Sequence, residues 1–284
     1  SIDHYNPLTN SQKDVKYADF KNKFDSQFIY SHVQIFGKSQ YCLGRNFLGY
    51  WLLKIDSDKA AAYFLGLSFG RYYVNTTQTK PIINNGFLEL EGSFVKAVEV
   101  GGLPGYTGFS ATQDGKLFRI KLDDLIKDSD SDGYNDIFEK SFGLNPDNRD
   151  TDGDGKTDFE DLNPMFASES NKFTQLYELL LPDIGDDNLA KMNYSFLVFE
   201  SECDYFHKIN PKYRVLFTRT DGKVHTPFLR SHDLTIYGIS KMRRSKEDKN
   251  VFYISQSDNS GKRDFAAEYK NGKWILKITG GYDI

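Results

Sequence analysis

The sequence is poor in cysteine, in long apolar runs and in net charge. Its two cysteines, Cys42 and Cys203, are too few for a disulfide scaffold and follow no metal-binding or redox spacing. Whether they form one long-range bridge is left open, because the sequence does not give their separation. No stretch of about 18 apolar residues occurs, so we expect no transmembrane segment. A net charge of −4 gives no reason to expect a nucleic-acid partner.

The chain also begins without the features of a secretion signal. Residues Ser1 to His4 include no methionine, no basic patch and no apolar segment. This start is typical of a mature or trimmed chain, so we expect that any signal has been removed. A lipid anchor attached ahead of Ser1 is left open.

Apolar side chains make up 39% of the sequence and aromatic side chains 15%, which is enough to bury a sizeable core. The length of 284 residues predicts one large domain or two ordinary ones. Acidic residues are concentrated in one place. The segment from Asp123 to Asp161 contains fourteen acidic and four basic residues, a net charge of −10, whereas the rest of the chain carries +6. Such a concentration in mid-chain needs a counter-charge.

Residues 1–121 contain short aromatic and β-branched runs separated by turn residues, and this pattern predicts about seven strands. The predicted strands are Phe28 to Phe36, Tyr50 to Ile55, Ala61 to Leu67, Arg71 to Asn75, Phe87 to Glu91, Phe94 to Val100 and Lys116 to Leu122. Strands at this spacing are typical of a sandwich or a barrel. Ahead of them, apolar residues at helical spacing between Val15 and Phe24 predict a short helix.

The last part of the chain begins with a different pattern. Apolar residues at helical spacing predict a helix from Phe173 to Leu180, ended by Pro182. Further strands are predicted at Tyr194 to Phe199, Tyr213 to Thr218, Leu234 to Ile239 and Val251 to Ser255. Asn271-Gly272 lies between two alternating runs and predicts a two-residue hairpin. This order of elements resembles the cone-shaped folds of the nuclear-transport-factor type, which either hold a ligand pocket or lack one.

The acidic segment contains a twelve-residue pattern that is typical of calcium loops. From Asp128 to Glu139, oxygen-bearing side chains occupy positions one, three, five, nine and twelve, and glycine occupies position six. Ca²⁺ is a hard cation that takes six to eight oxygens at about 2.3–2.6 Å, so it needs several carboxylates from one short turn. Tyr134 at position seven supplies a backbone carbonyl and Glu139 a bidentate carboxylate, while Gly133 permits the sharp turn.

The same pattern returns 22 residues later, from Asp150 to Asp161. Lys156 occupies position seven of this second loop and Asp161 occupies position twelve. Because Asp161 is one methylene shorter than glutamate, a neighbouring loop is expected to help complete the coordination. Pro146 precedes the second loop and no helix leads into it, so the two loops do not form a paired helix-loop-helix hand.

Each repeat ends in Asn-Pro, at Asn145-Pro146 and at Asn163-Pro164. The stretch from Asp128 to Pro164, about 37 of 284 residues, closely resembles bacterial thrombospondin type 3 repeats, in which Asp-rich units wrap calcium ions. The resemblance implies about two ions. It implies Asp128, Asp130, Asp132, Asp136 and Glu139 as ligands of one ion, and Asp150, Asp152, Asp154, Asp158 and Asp161 as ligands of the other. The animal repeats have cysteine where Asn145 and Asn163 stand, so we expect no disulfides between these repeats.

The acidic segment has two other interpretations. A dockerin also has two calcium loops in tandem, but each of its repeats ends in an amphipathic helix, and Pro164 follows the second loop here. A linker that binds no metal would not be expected to place glycine at the same position of two in-phase copies.

These patterns together predict an α+β protein that is mostly antiparallel β. A β-rich domain spans residues 1–121, calcium-binding repeats span 122–166, and an α+β domain with a C-terminal antiparallel sheet spans 167–284. We expect Ca²⁺ to rigidify the junction between the two domains of a non-catalytic protein that binds a protein partner of unknown identity. Millimolar affinity is typical of extracellular calcium modules, so we expect an extracellular or cell-envelope location, in the periplasm or at the surface.

The sequence also fits two alternative functions. The first is an extracellular hydrolase with structural calcium, because Gly66-Leu67-Ser68-Phe69-Gly70 matches the Gly-x-Ser-x-Gly pattern of a nucleophile elbow. That elbow needs a helix directly after the serine, and Arg71 to Thr77 has the pattern of a strand instead. His207, His225 and His232 are the histidines downstream of Ser68 that could pair with it. The second alternative is a ligand carrier, which requires a concave apolar cavity in the C-terminal sheet.

Overall fold

The computed structural model describes residues 15–99, 107–183, 189–218, 237–258 and 260–283. Strands account for 44% of the structure and helices for 15%, and the sheets are mainly antiparallel, which confirms the predicted fold class. Contacts divide the chain into two compact units, Ser1–Lys127 and Asp128–Ile284. Both acidic repeats, for which the sequence predicts a segment of their own, fall within the second unit. Among the described residues, no helix is long and apolar enough to cross a membrane.

A four-stranded antiparallel meander forms the first sheet of the first unit. Its strands lie side by side in chain order: β1 (Ile29–Phe36), β2 (Ser39–Asn46), β3 (Gly49–Asp56) and β4 (Lys59–Phe64). Helix α1 (Ala18–Phe24) and a 3-10 turn (Asp25–Gln27) precede them. Trp51 in β3 is fully buried, and its ring centroid lies 5.7 Å from that of Phe28 and 4.9 Å from that of Phe64. These aromatic contacts hold the helix end and the meander in one core.

The second sheet of the first unit is built on one long hairpin. Its strands are β5 (Tyr72–Val74), β6 (Ile83–Asn84), β7 (Phe87–Glu99) and β8 (Thr107–Lys121), and helix α2 (Leu122–Leu125) follows. The sequence predicts two strands where β7 forms one, interrupted by register shifts between Gly92 and Val95. Gln34 of β1 reaches this sheet, because its Nε2 donates to the carbonyl of Ile83 and its Oε1 accepts from the amide of Ile83, each at 2.8 Å.

A seven-stranded mixed sheet forms the body of the second unit. Its strands are β9 (Leu197–Glu200), β10 (Val215–Thr218), β11 (Tyr237–Ile239), β12 (Arg243–Arg244), β13 (Val251–Asp258), β14 (Gly261–Lys270) and β15 (Lys273–Asp283). The order is β10-β9-β11-β13-β14-β15, with β12 paired to β13. Strand β9 runs parallel to both of its neighbours, and the other pairs are antiparallel. The predicted hairpin joins β14 to β15, with φ of +52° at Asn271 and +75° at Gly272.

Short helices complete the second unit: α3 (Asp136–Phe142), α4 (Lys172–Glu178) and α5 (Asp204–His207), with a 3-10 turn at Leu189–Lys191. The predicted helix corresponds to α4, which begins in a capping box: Asn171 Oδ1 accepts from the amide of Thr174, and the hydroxyl of Thr174 accepts from the amide of Asn171. Phe173 then packs on the C-terminal sheet, 5.7 Å from Phe252 and 6.3 Å from Trp274 between ring centroids.

Candidate metal centre

The first acidic loop is shaped by its own aspartates. Asp128 accepts hydrogen bonds from the amides of Ser131 and Gly133, at 2.8 and 3.1 Å. Asp130 and Asp132 each use Oδ1 to accept from the amide two residues later. Such side-chain to backbone bonds are the means by which aspartate stabilises tight turns. The Oδ2 atoms of Asp130 and Asp132 are left buried and without a hydrogen-bond partner.

The second loop repeats this construction with the same atoms. Asp150 accepts from the amides of Gly153 and Gly155, at 2.8 and 2.9 Å. Asp152 and Asp154 again accept from the amide two residues later, and the Oδ2 of Asp152 is buried without a partner. Gly155 has φ of +96° and Gly133 has φ of +121°, so glycine is required at position six of both loops. Local turn chemistry therefore explains why one sequence pattern gives two matching loops.

Position nine closes each loop through a paired hydrogen bond. The carboxylate of Asp136 accepts from the amide and from the hydroxyl of Ser129, at 2.8 and 2.9 Å. Asp158 accepts in the same way from Thr151, at 2.8 and 2.6 Å. Both residues were predicted as metal ligands. The structure brings Asp158 into a group of converging carboxylates, whereas Asp136 is in none of the groups found among the described residues.

Within the part of the chain that the structure describes, carboxylate oxygens converge in three groups, and in each group they lie no more than 4.8 Å apart. Two groups are the predicted ones, Asp128 with Asp130 and Asp132, and Asp150 with Asp152 and Asp154. The third group joins the loops: Asp132 and Glu139 of the first repeat meet Asp158 of the second. The sequence predicts that a neighbouring loop helps to complete the coordination in the second loop, where Asp161 is short. In the structure, the first loop instead receives a carboxylate from the second loop.

Glu139 is the most unusual carboxylate of the centre. It is fully buried, and neither of its oxygens has a hydrogen-bond partner. Burial raises the pKa of Glu139 to about 9, and the charges of Asp130, Asp132 and Asp158 act in the same direction. A buried polar group without partners costs free energy, and a buried carboxylate costs more. A cation among these oxygens would remove that cost.

The pKa values of two other carboxyl groups change for the same reason. Burial raises the pKa of Asp132 to about 7, with Asp130 and Asp158 as further causes. Burial likewise raises the pKa of Asp152 in the second loop to about 6. Both loops therefore contain carboxyl groups whose ionisation the surrounding protein opposes, and the first loop contains the more deeply buried of them.

The second loop differs because it carries its own positive charge. The Nζ of Lys156 lies 3.4 Å from Asp154 Oδ2 and 3.5 Å from Asp161 Oδ1. Asp161 is buried but does not converge with Asp150, Asp152 and Asp154 to the same 4.8 Å limit. Of the residues predicted at position seven, Lys156 thus contacts two predicted ligands with its side chain, whereas the side chain of Tyr134 is buried in the core.

Aromatic packing fixes the repeats to the rest of the second unit. The ring of Tyr134 is buried 4.4 Å from Phe138 and 5.0 Å from Phe159, and its hydroxyl donates to the carbonyl of Asn193 at 2.6 Å. Phe138 lies 5.5 Å from Phe196, just ahead of β9. The sequence predicts only a carbonyl ligand at Tyr134, so this anchoring role is new. Its signal in the sequence was an aromatic residue at the position where the second loop has Lys156.

A buried arginine makes a second connection. Arg214, at the start of β10, donates to the carbonyl of Asp161 and to Oδ1 of Asn193. Asn163, which ends the second repeat, donates to the carbonyl of His207 at 2.7 Å. Asn163 therefore ties the second repeat to α5 by a hydrogen bond.

The other candidate groups are arranged less favourably for chemistry. Ser68 is buried between β4 and β5, its Oγ has no partner, and no helix follows it, so the nucleophile elbow is not formed. His207 is buried in the second unit, and His225 and His232 lie outside the described residues. Cys42 and Cys203 are buried free thiols, and burial raises the pKa of Cys42 to about 12.

A cavity of about 390 Å³ lies beside the C-terminal sheet, where the ligand-carrier interpretation requires one. Its wall is mixed and includes Leu180, Phe265 and Leu276 as well as Asp258 and Lys262. Among the described residues, none of the buried polar atoms without partners belongs to this wall. The acidic centre differs in this respect, because it contains buried carboxylate oxygens without partners.

Oxygen donors alone make up the acidic centre, and such donor sets suit hard cations such as Ca²⁺ rather than zinc or copper. Comparisons of the chain with family models, with curated proteins and with solved structures find no match. The resemblance to thrombospondin type 3 repeats stays a prediction, and it depends on the residues from Asp128 to Pro164.

Proposed function

We propose that this protein binds about two Ca²⁺ ions in its two acidic loops and uses them to stabilise the unit that contains residues 128–284. The observation that carries the proposal is Glu139, a fully buried carboxylate whose two oxygens lack hydrogen-bond partners. Asp132 and Asp158 converge on it from both repeats. A divalent cation is the partner that this arrangement of oxygens favours.

Electrostatics support the same conclusion. Two unit charges 4 Å apart interact by up to about 4 kcal/mol at an effective dielectric constant near 20. Several converging carboxylates therefore oppose folding by an amount comparable with the stability of a domain, which is about 5–15 kcal/mol. Ion binding then contributes directly to the folding free energy of this unit.

The proposal describes a non-catalytic protein. Calcium modules outside cells bind with typical dissociation constants of about 10⁻⁴–10⁻³ M, so an extracellular or cell-envelope location fits this role. The junction role expected from the sequence, in which the ions also set the placement of the flanking domains, is part of the proposal. So is a protein partner, whose identity is open.

Calorimetric titration of EDTA-treated protein with Ca²⁺, together with thermal unfolding, tests the proposal. We expect about two ions to bind and the second unit to become more stable, by about 2.7 kcal/mol per site at 100 times the dissociation constant. Absence of binding at millimolar Ca²⁺ would refute the proposed function.

Glu139→Gln and Glu160→Gln form a matched pair for this test. Both substitutions neutralise a glutamate of the repeat segment, but Glu160 is exposed and accepts a hydrogen bond from Thr157. We expect Glu139→Gln to lose the tighter binding event and Glu160→Gln to keep both. Equal effects of the two substitutions would mean that general charge, rather than coordination, attracts the ion.

A further inference from the structure

The two loops have the same backbone construction but different neutralising groups. In the first loop, position seven is Tyr134, whose side chain is buried against Phe138 and Phe159. In the second loop, position seven is Lys156, whose ammonium contacts two of the residues expected to bind the ion, Asp154 and Asp161. The residue at position seven, which is expected to bind the ion through its carbonyl, therefore has a cationic side chain only in the second loop.

The geometry shows that this lysine acts on the ligand oxygens themselves. Its Nζ lies 3.4 Å from Asp154 Oδ2 and 3.5 Å from Asp161 Oδ1, so one ammonium spans position five and position twelve. The ammonium therefore forms ion pairs with both carboxylates at once. The side chain of Lys156 is about half exposed, so it can move into solvent when its ion pairs break.

We propose, on the basis of the function proposed above, that Lys156 is a built-in competitor of the second ion. Its ammonium neutralises the second loop in the calcium-free protein, and it must leave Asp154 and Asp161 before Ca²⁺ binds there. The second loop is consequently the weaker site and fills after the first. The protein thus has one site that holds its ion at low calcium and one that responds at higher calcium.

This role predicts two effects of opposite sign for Lys156→Gln. Without calcium, the variant is less stable than the wild type, because the second loop loses its only close ammonium among the described residues. With calcium, the variant binds the second ion more tightly, because no ion pair has to break. A residue that merely packs against the loop would lower stability in both states.

The two position-six amides are matched reporters for the test. The amide of Gly133 donates to Asp128 Oδ2, and the amide of Gly155 donates to Asp150 Oδ2, so each amide senses the ion in its own loop. Calcium titrations of ¹⁵N-labelled full-length protein would follow both amide resonances. We expect Gly133 to respond first in the wild type, and Lys156→Gln to lower the calcium concentration at the Gly155 midpoint by about two- to fivefold.

Two control variants separate the competing role from general charge effects. Lys156→Arg keeps the positive charge and is expected to keep a late Gly155 midpoint. Lys140→Gln removes an ammonium that lies 3.5 Å from Asp136 Oδ2, and it is expected to leave the Gly155 midpoint unchanged. Thermal unfolding in EDTA completes the set, with a lower midpoint expected for Lys156→Gln than for the wild type.

The outcomes distinguish this inference from the proposed function. If neither amide responds to millimolar calcium, the proposed function fails and Lys156 has no ion to compete with. If both amides respond but the Gly155 midpoint is the same in the wild type and in Lys156→Gln, the loops bind calcium and the competing role is wrong. A wild-type Gly155 midpoint at or below that of Gly133 would also overturn the inference.

Discussion

Asp158 of the second acidic loop brings a carboxylate oxygen within 4.8 Å of one from Glu139, which ends the first loop and lies on helix α3. The two residues are 19 positions apart in the sequence and belong to different repeats. Their proximity makes the repeats one centre rather than two independent loops. On the proposed function, a change at Asp158 would therefore alter the binding of an ion in the first loop.

Asp158→Asn should weaken calcium binding by the first loop by roughly tenfold, because affinity in such loops depends on the number of charged ligands. Asp136→Asn is the matched control, since both residues occupy position nine and both accept two hydrogen bonds from one residue. We expect Asp136→Asn to leave the calcium affinity of the second loop unchanged. Titrations followed at the Gly133 and Gly155 amides would measure both effects. If the two variants shifted the calcium midpoint of the other loop equally, the result would contradict the shared centre.

The calcium-free protein should lose stability as the pH rises from about 4.5 to 9. Burial raises the pKa of Glu139 in the folded state to about 9 from an ordinary value of 4.5, so the folded state binds more protons than the unfolded state in this range. Glu139→Gln should make this dependence shallower. Thermal unfolding in EDTA at several pH values provides the measurement.

Saturating calcium should abolish the loss of stability between about pH 4.5 and 9, because the ion requires ionised ligands and binds more tightly as they lose protons. The same linkage predicts proton release on binding near pH 7, seen as a buffer-dependent heat in calorimetry. A binding heat that is identical in buffers of different ionisation enthalpy would show that Glu139 is already ionised in the calcium-free protein.

Gly133→Ala should destabilise the protein more than Gly155→Ala. Both glycines have positive φ, which an alanine adopts only at a cost of about 1–3 kcal/mol. A Cβ at Gly133 would also lie 3.0 Å from the ring of Phe159, whereas a Cβ at Gly155 would meet no atom within 4 Å. Denaturant unfolding would give both free energies, and equal losses would show that the Phe159 ring moves aside freely.

Ser68→Ala tests the hydrolase alternative. The Oγ of Ser68 is buried without a hydrogen-bond partner, so its removal should change the free energy of unfolding by less than about 1 kcal/mol or increase it. We also expect the wild-type protein to be inert to acyl-transfer probes. Labelling of the wild type that Ser68→Ala abolishes would favour the hydrolase over the non-catalytic function.

The loops were predictable because their chemistry is local. An aspartate that accepts from an amide two or three residues ahead needs no other part of the chain, so Asp128, Asp150 and the position-six glycines follow from spacing alone. The participation of Asp158 in the first loop was not predictable, because it depends on Phe159 packing beneath Gly133 and beside Tyr134. That contact is set by the core of the second unit.

In the fold, too, features that depend on neighbouring residues were predictable, and features that depend on distant residues were not. The hairpin at Asn271-Gly272 follows from turn residues with positive φ. Strand β2 was missed because Gly44, Arg45 and Asn46 interrupt its apolar alternation, although its partners in β3 bury it. The parallel pairing of β9 with β10 and β11 has no periodic signature, because pairing partners are chosen by packing across the sheet.

The contact between Gln34 and Ile83 has a consequence for self-association. Ile83 pairs with Leu88 of β7, and its amide and carbonyl are both taken by the carboxamide of Gln34. An amide side chain thus replaces the next strand at the outer edge of β6. Open strand edges are templates for aggregation, and this one is closed without a charge, a proline or a bulge.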